Sequence, residues 1–290
     1  MVSRDAQADR PESRAGSAES SQCFDCLAGS AGALRPCTRE VMVELPLRIL
    51  VNGEPVATLM QTPGAETELA LGFLMTEGWI RSFSDVGAIS FCPEGQLGAA
   101  GEARVLLAAG CPTNRRGYRE VFSSCGLCGD TLLDEFARSL PVVERPARRL
   151  RPADVFRLRD AMEAAQQAFR QTGGTHAAAL AEVPVGEGTG RLVVREDLGR
   201  HNALDKAVGA AMRMSFCLDR SLVFLSGRLS FEMVTKAAQA GIGDLAGVSA
   251  PSALGVALAR RLGMFLAGFV RGESMTVYSG ADALAESGTA

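Results

Sequence analysis

Lysine is nearly absent. The 290-residue chain carries thirty Lys and Arg residues, yet only Lys206 and Lys236 are lysines. Arg is the default cation here, so a retained Lys is either a chance survivor or a place where a compact ammonium is wanted. Net charge of one sign is also lacking, at −3, which leaves no strong basic field for duplex nucleic acid. Long apolar runs are missing too. The longest, 262–270, is bounded by Arg261 and Arg271 and is too short to span a bilayer, so no membrane association is expected. Residues 1–35 contain no apolar core of a secretory signal. With eight cysteines and no such signal, a reducing, cytoplasmic setting is expected rather than a disulfide scaffold. There is no Walker A pattern, no GxGxxG after a strand, no HExxH and no GxSxG elbow, which removes the usual nucleotide-binding, zincin and serine-hydrolase readings.

What is present centres on Cys125-Gly126-Leu127-Cys128-Gly129. Two thiols three residues apart, with a glycine after each, can face a common partner because Gly126 and Gly129 admit turns barred to other residues. A helix is predicted directly after, capped by Asp130 or Thr131, with Leu132, Leu133, Phe136 and Leu140 at helical spacing. A helix start near a thiol favours the thiolate, the form that attacks sulfur and binds metal. Sulfur or redox chemistry, structural zinc and two buried cysteines all remain open from the spacing alone. A second pair, Cys23 and Cys26, followed by Cys37, invites a joint zinc site, but it falls in a polar stretch expected to lack order.

The chain divides by pattern into a disordered tail (1–38), an α+β unit carrying the CxxC (39–150), an α/β unit (151–280) and a short tail (281–290). In the first unit, Asn52-Gly53 between the apolar runs 41–51 and 56–60 predicts a hairpin. Thr62-Pro63 opens a helix with Leu69, Phe73 and Leu74 inward and Gly78 at its end. Strands follow at 88–92 and 103–109. In the second unit, a helix with Val155, Leu158, Met162, Ala165 and Phe169 on one face stops at Gly173-Gly174. Strands at 176–183, 191–196, 221–226, 244–249 and 264–270 then alternate with helices at 201–216, 230–240 and 252–262. Such alternation predicts an α/β layer with a mainly parallel sheet, and a ligand site beyond the strands' carboxyl ends.

Four loops there have the right composition. Gly199-Arg200 and Gly227-Arg228 are strand-to-helix turns whose free N–H groups and guanidinium favour an anion. His201 and Asp205, Asn202 and Lys206, and Glu232 and Lys236 form i,i+4 pairs behind them, and Ser230 is the expected N-cap. His176, after Gly173-Gly174, and Arg271-Gly272, after Phe269 and Val270, complete the set.

Together, Cys125–Gly129, Thr172–His176, Arg195–Lys206, Ser226–Met233 and Gly268–Gly272, with 51–54, 62–63 and 71–78, closely resemble the FdhD/NarQ family of formate dehydrogenase accessory sulfurtransferases. The likeness covers roughly 40–280, so Cys23, Cys26 and Cys37 inherit nothing. It implies a small α+β domain plus a cytidine-deaminase-like α/β domain and a homodimer. It also implies a sulfur carrier that takes sulfur from a cysteine desulfurase. The sulfur would pass to a molybdenum or tungsten bis(guanine dinucleotide) pterin cofactor before insertion into the catalytic subunit of formate dehydrogenase. Cys125 would hold the persulfide and Cys128 would be the second thiol. Phe269, Val270, Arg271, Gly272, Glu273 and Ser274, together with Gly199, Arg200, His201, Asn202, Lys206, Gly227, Arg228, Glu232 and His176, would hold the cofactor, with GDP as its mimic. No permanent metal is expected. The deaminase signature is missing, since His201 is followed by Asn202-Ala203 and no Pro precedes Cys125. A structural zinc module or a dithiol oxidoreductase using the same CxxC is the competing class.

Overall fold

The computed structural model describes residues 20–30, 32–93, 101–111, 130–143, 150–183 and 191–285. Three sheets are seen among them. The described residues open with an antiparallel hairpin, β1 (Ser21–Ser30) and β2 (Ala33–Met42). This corrects the expectation of a disordered tail through residue 38. The small polar residues of this stretch offer little apolar area to bury, but they do not prevent a two-stranded ladder. Strand β2 also rests against a helix of the second unit near Gly174.

The second sheet has the order β4-β3-β6-β5, from β3 (Leu45–Val51), β4 (Glu54–Gln61), β5 (Val86–Cys92) and β6 (Gly101–Leu107). The Asn52-Gly53 turn joins β3 to β4 with φ of 51° and 87°, the double left-handed geometry a tight hairpin needs. Leu47, Ile49 and Val51 alternate inward from β3. Helix α1 (Glu66–Thr76) covers them and ends at Gly78, φ 75°. It starts later than expected because Thr62 is used elsewhere. Its amide donates to Asp197 and its hydroxyl accepts from Leu198 N–H.

After α2 (Asp130–Ser139), α3 (Pro152–Ala165) and α4 (Gln167–Thr172) replace the single helix expected there, with the break at Gln166, ψ 79°. The third sheet has the order β12-β11-β10-β9-β7-β8, built from β7 (His176–Glu182), β8 (Leu192–Asp197), β9 (Ser221–Leu225), β10 (Asp244–Gly247), β11 (Phe265–Arg271) and β12 (Ser274–Ser279). Between them run α5 (Arg200–Arg213), α6 (Phe231–Gln239) and α7 (Ala253–Arg261). Within this sheet β9–β10 and β10–β11 pair in parallel, whereas β7 and β12 run against their neighbours. The sheet is therefore mixed rather than mainly parallel. The difference comes from β7 and β8, which form a hairpin, and from β12, which follows the Gly272 turn. The expected final tail also differs: Leu284 bridges to Leu150, and the backbones of Ala283 and Ala285 hydrogen-bond Leu150.

The two larger units are joined by α1 lying on α5. At the crossing a Cβ on Gly72 would fall 1.7 Å from the Asp205 carbonyl oxygen, and one on Gly209 would fall 1.9 Å from that of Glu68. Glycine within a helix costs roughly 1 kcal/mol, and here it allows backbone-to-backbone contact. Gly72→Ala is expected to destabilise the protein by about 3 kcal/mol through overpacking. An unchanged midpoint in thermal unfolding would refute the close crossing.

Candidate functional site

The strand directions put six chain segments at one edge of the third sheet. The carboxyl ends of β8, β9, β10 and β11 lie there, with the amino ends of β7 and β12. The helices α5, α6 and α7 also begin at this edge, so their free N–H groups and positive dipole ends share it. At about 4.8 Å between strands, the row from β8 to β11 is about 19 Å long. The loops are tied together by their backbones. Leu229 N–H donates to Ala250 O, Ser252 N–H to Leu229 O, and Phe269 N–H to Ser249 O.

His176, Arg200, His201, Gly227, Arg228 and Glu232 converge. A Cβ on Gly227 would sit 3.4 Å from His176 Nδ1 and 3.5 Å from Arg200 Cδ, so this turn packs closely between the two side chains. His201 Nε2 lies 2.8 Å from Glu232 Oε2, and an Arg200 guanidinium nitrogen lies 3.8 Å from the same oxygen. Burial, then the Arg200, Arg228 and His201 charges, hold His176 below the ordinary histidine value. Burial and Arg200 likewise hold His201 down, against the pull of Glu232. Both rings are thus kept neutral near pH 7 in a cationic corner with one facing carboxylate. Arg200 Nε and Ser230 Oγ are buried with no hydrogen-bond partner among the described residues. Ser230 occupies the N-cap position of α6 without its hydroxyl accepting a cap hydrogen bond, unlike Ser252, which accepts from Gly255 N–H at 3.1 Å. Two orphaned donors at a helix start fit an anionic ligand that would accept from them.

At the other end of the row, Phe269 is an exposed aromatic held at φ 52° on a bulge of β11, where left-handed backbone is costly for a side chain. Arg271, Gly272, Glu273 and Ser274 form the exposed turn, and Ser274 Oγ donates to Arg271 O at 3.0 Å. Val270 points the other way into the apolar core and presents nothing to this surface. Arg159 of α3, which no motif singles out, donates to the Gly272 carbonyl and holds the turn. Its only sequence signal is an Arg on the buried face of α3.

Asn202 and Lys206 are brought elsewhere. Lys206 is 2 % exposed, 2.7 Å from Asp197 and 2.7 Å from the Thr62 carbonyl oxygen. Asn202 donates to the Met60 carbonyl and to Asp197. Asp197, wholly buried, also accepts from the Thr62 and Gly199 amides. These residues lock α5 to the end of β4 and leave no ammonium for a ligand. The other lysine behaves alike. Lys236 contacts Asp205, Glu77 and Thr76 at 2.9–3.1 Å. Burial works against its charge, but the Asp205 and Glu77 carboxylates outweigh it and keep the ammonium protonated.

A groove of about 650 Å³ opens beside His176 and Ser226, floored by Met162, Phe169, Gly174 and Val248. A larger hollow of about 780 Å³ lies at the far ends of α5 and α6, remote from the charged edge. The edge gathers two histidines, two arginines and a carboxylate at one corner, whereas the far hollow is lined by a mixed set that includes Arg81, Asp219 and Gln239. Cys125 and Cys128 lie outside the described residues. Among the described residues, no group of three or more His, Cys, Asp or Glu is placed to hold a metal ion, and no helix is long and apolar enough to cross a membrane.

An α/β protein with a cationic edge at its strand ends is the class that fold and site define. The model of the FdhD/NarQ family matches residues 42–285, and the chain belongs to that family. It is 43 % identical over 265 residues to the sulfur carrier protein FdhD of Streptomyces coelicolor, covering 88 % of this chain and 92 % of that one. Against the protein of the same name from Anaeromyxobacter sp. strain K, identity is 42 %, over 86 % and 89 % of the two chains. A crystal structure assigned to a putative formate dehydrogenase accessory protein of Desulfotalea psychrophila superposes with a TM-score of 0.73 at 25 % identity, over 92 % of this chain and all of that one.

Proposed function

We propose that this chain is a sulfur carrier for formate dehydrogenase maturation, working through a persulfide on Cys125. The observation that carries the acceptor half is the cationic edge, where Arg200 Nε and Ser230 Oγ are buried without partners among the described residues, beside Arg228 and two neutral histidines. The relatives named sulfur carriers support the donor half.

In the first step the Cys125 thiolate attacks the outer sulfur of a cysteine desulfurase persulfide. The desulfurase S–S bond breaks, its thiolate leaves, and Cys125–S–SH forms. In the second, the Cys128 thiolate attacks the inner sulfur of Cys125 and displaces HS⁻ toward the acceptor. The Cys125–Cys128 disulfide that remains takes two electrons from a dithiol reductant. This step supplies sulfide rather than neutral sulfur, which a metal sulfido ligand requires. The acceptor is the molybdenum or tungsten bis(guanine dinucleotide) cofactor, bound as substrate. Its two pyrophosphates match the Arg200–Arg228 corner and the Arg271 turn, separated along the edge, and Phe269 offers a guanine an exposed stacking face. Glu232, facing the site with His201, has the acceptor oxygens for a guanine N–H edge. We place this chemistry in the cytoplasm, in a homodimer on a deaminase-like α/β domain, with the formate dehydrogenase catalytic subunit as recipient of the finished cofactor.

Calorimetry with GDP tests the edge. Arg271→Ala and Arg200→Ala should each weaken binding about tenfold or more, as loss of a charge-assisted contact does. Affinity should also rise as pH falls from about 8 to about 6. The free-state histidines are held below their ordinary value, so an anion that draws a proton onto them binds better where protons are available. Unchanged affinity in both variants would remove the site.

A further inference from the structure

The thiols of the β1–β2 hairpin lie outside the family match and take no part in the chemistry above. In the strand register Cys26 directly faces Cys37, and their sulfurs stand 3.3 Å apart. Directly opposed antiparallel residues have Cα atoms about 4.5 or about 5.5 Å apart, both within the span of a disulfide. Closing the contact to about 2.05 Å takes side-chain rotation and no change of register. Cys23 is three positions from Cys26 on the same strand, so it points to the opposite face, where its cross-strand neighbour is Glu40. The geometry thus selects one pair of the three thiols and turns Cys23 away from Cys26. Both paired thiols remain partly exposed, within reach of small reagents. Their hydrogen bond, and burial after it, raise the Cys26 thiol above its ordinary value.

We infer that Cys26 and Cys37 form a dithiol–disulfide couple, a redox modification site that exchanges with small-molecule disulfides and dithiols. One thiolate of the pair attacks a small disulfide RS–SR, giving a mixed disulfide and RS⁻. The facing thiol then loses its proton to solvent and attacks the sulfur that carries the adduct, so that the mixed bond breaks and a second RS⁻ leaves. Two thiols are oxidised to one disulfide and one RS–SR is reduced to two thiolates. A dithiol reverses both steps. Ring closure is intramolecular across a preformed ladder, so it outruns capture of a second RS–SR.

The test uses the full chain carrying Cys125→Ser and Cys128→Ser, equilibrated with oxidised and reduced glutathione and mapped by fragment-ion mass spectrometry. The expected result is a Cys26–Cys37 link, two hydrogens lighter, that persists with Cys23→Ser and is reopened by dithiothreitol. With Cys37→Ser added, Cys26 should instead retain a glutathione adduct or its free thiol, with no internal link. Stable glutathione adducts on both Cys26 and Cys37 without ring closure, or bridges through Cys23, would overturn the inference. Because the CxxC thiols are absent from this background, the outcome is independent of the sulfur-transfer reading.

Discussion

Lys206→Met should lower the free energy of unfolding by about 3–5 kcal/mol, the cost of leaving a buried carboxylate without its counter-charge. The ammonium is 2 % exposed and holds both Asp197 and the Thr62 carbonyl. With it gone, Asp197 still receives the Thr62 and Gly199 amides and Asn202, but no charge opposes its own. Lys206→Arg should not restore stability, because a planar guanidinium needs a wider site than a compact ammonium between one carboxylate and one carbonyl. Urea denaturation measures the effect, and a loss below about 1 kcal/mol would mean that Asp197 is satisfied by its neutral donors alone.

The second large effect falls on Cys125. Cys125→Ala is expected to abolish the added sulfur seen by mass spectrometry after incubation with desulfurase and cysteine. Formate dehydrogenase maturation should fall by roughly 10²-fold or more, as loss of a nucleophile does. Cys128→Ser should separate the two half-reactions. Sulfur loads onto Cys125 as before, but release of sulfide to the acceptor fails, and the persulfide accumulates. If Cys128→Ser supports full maturation, the second thiol has no role in release. If Cys125→Ala still loads one sulfur, the persulfide belongs to another cysteine. Stoichiometric zinc on intact thiols would favour a structural metal module instead.

Much of the fold was legible because apolar runs of strand length alternate with helical spacing from residue 176 onward. Each expected strand there is observed within a few residues of its bounds. Strand order was not legible. Nothing in β7 or β8 announces that the chain turns back on itself, and β12 is too exposed to stand out by burial pattern. The hairpin at 21–42 was hidden because composition measures the lack of a core, and a ladder does not need one of its own. At the site, turn glycines followed by arginine pointed to Arg200 and Arg228 because such turns expose backbone donors at a predictable edge. The i,i+4 pairs misled. His201 meets Glu232, Asp205 meets Lys236, and Lys206 meets Asp197. Helical spacing brings side chains near one another, but a buried charge is satisfied by whichever partner on a neighbouring element desolvates with it. The two lysines stand out by composition, and in the structure both serve packing between units rather than an open ligand site.

The backbone contact at Gly72 and Gly209 also limits how sulfur can travel. With α1 and α5 touching main chain to main chain and two ion pairs buried alongside, the second and third sheets move together, and neither can swing to meet the other. Cys111 and Asp130 are anchor points on that common frame, and the eighteen residues 112–129 between them include both thiols. Five residues of chain reach at most about 18 Å, so Cys125 stays within that radius of Asp130. The sulfur transfer proposed above therefore confines its acceptor atom to about that radius of Asp130.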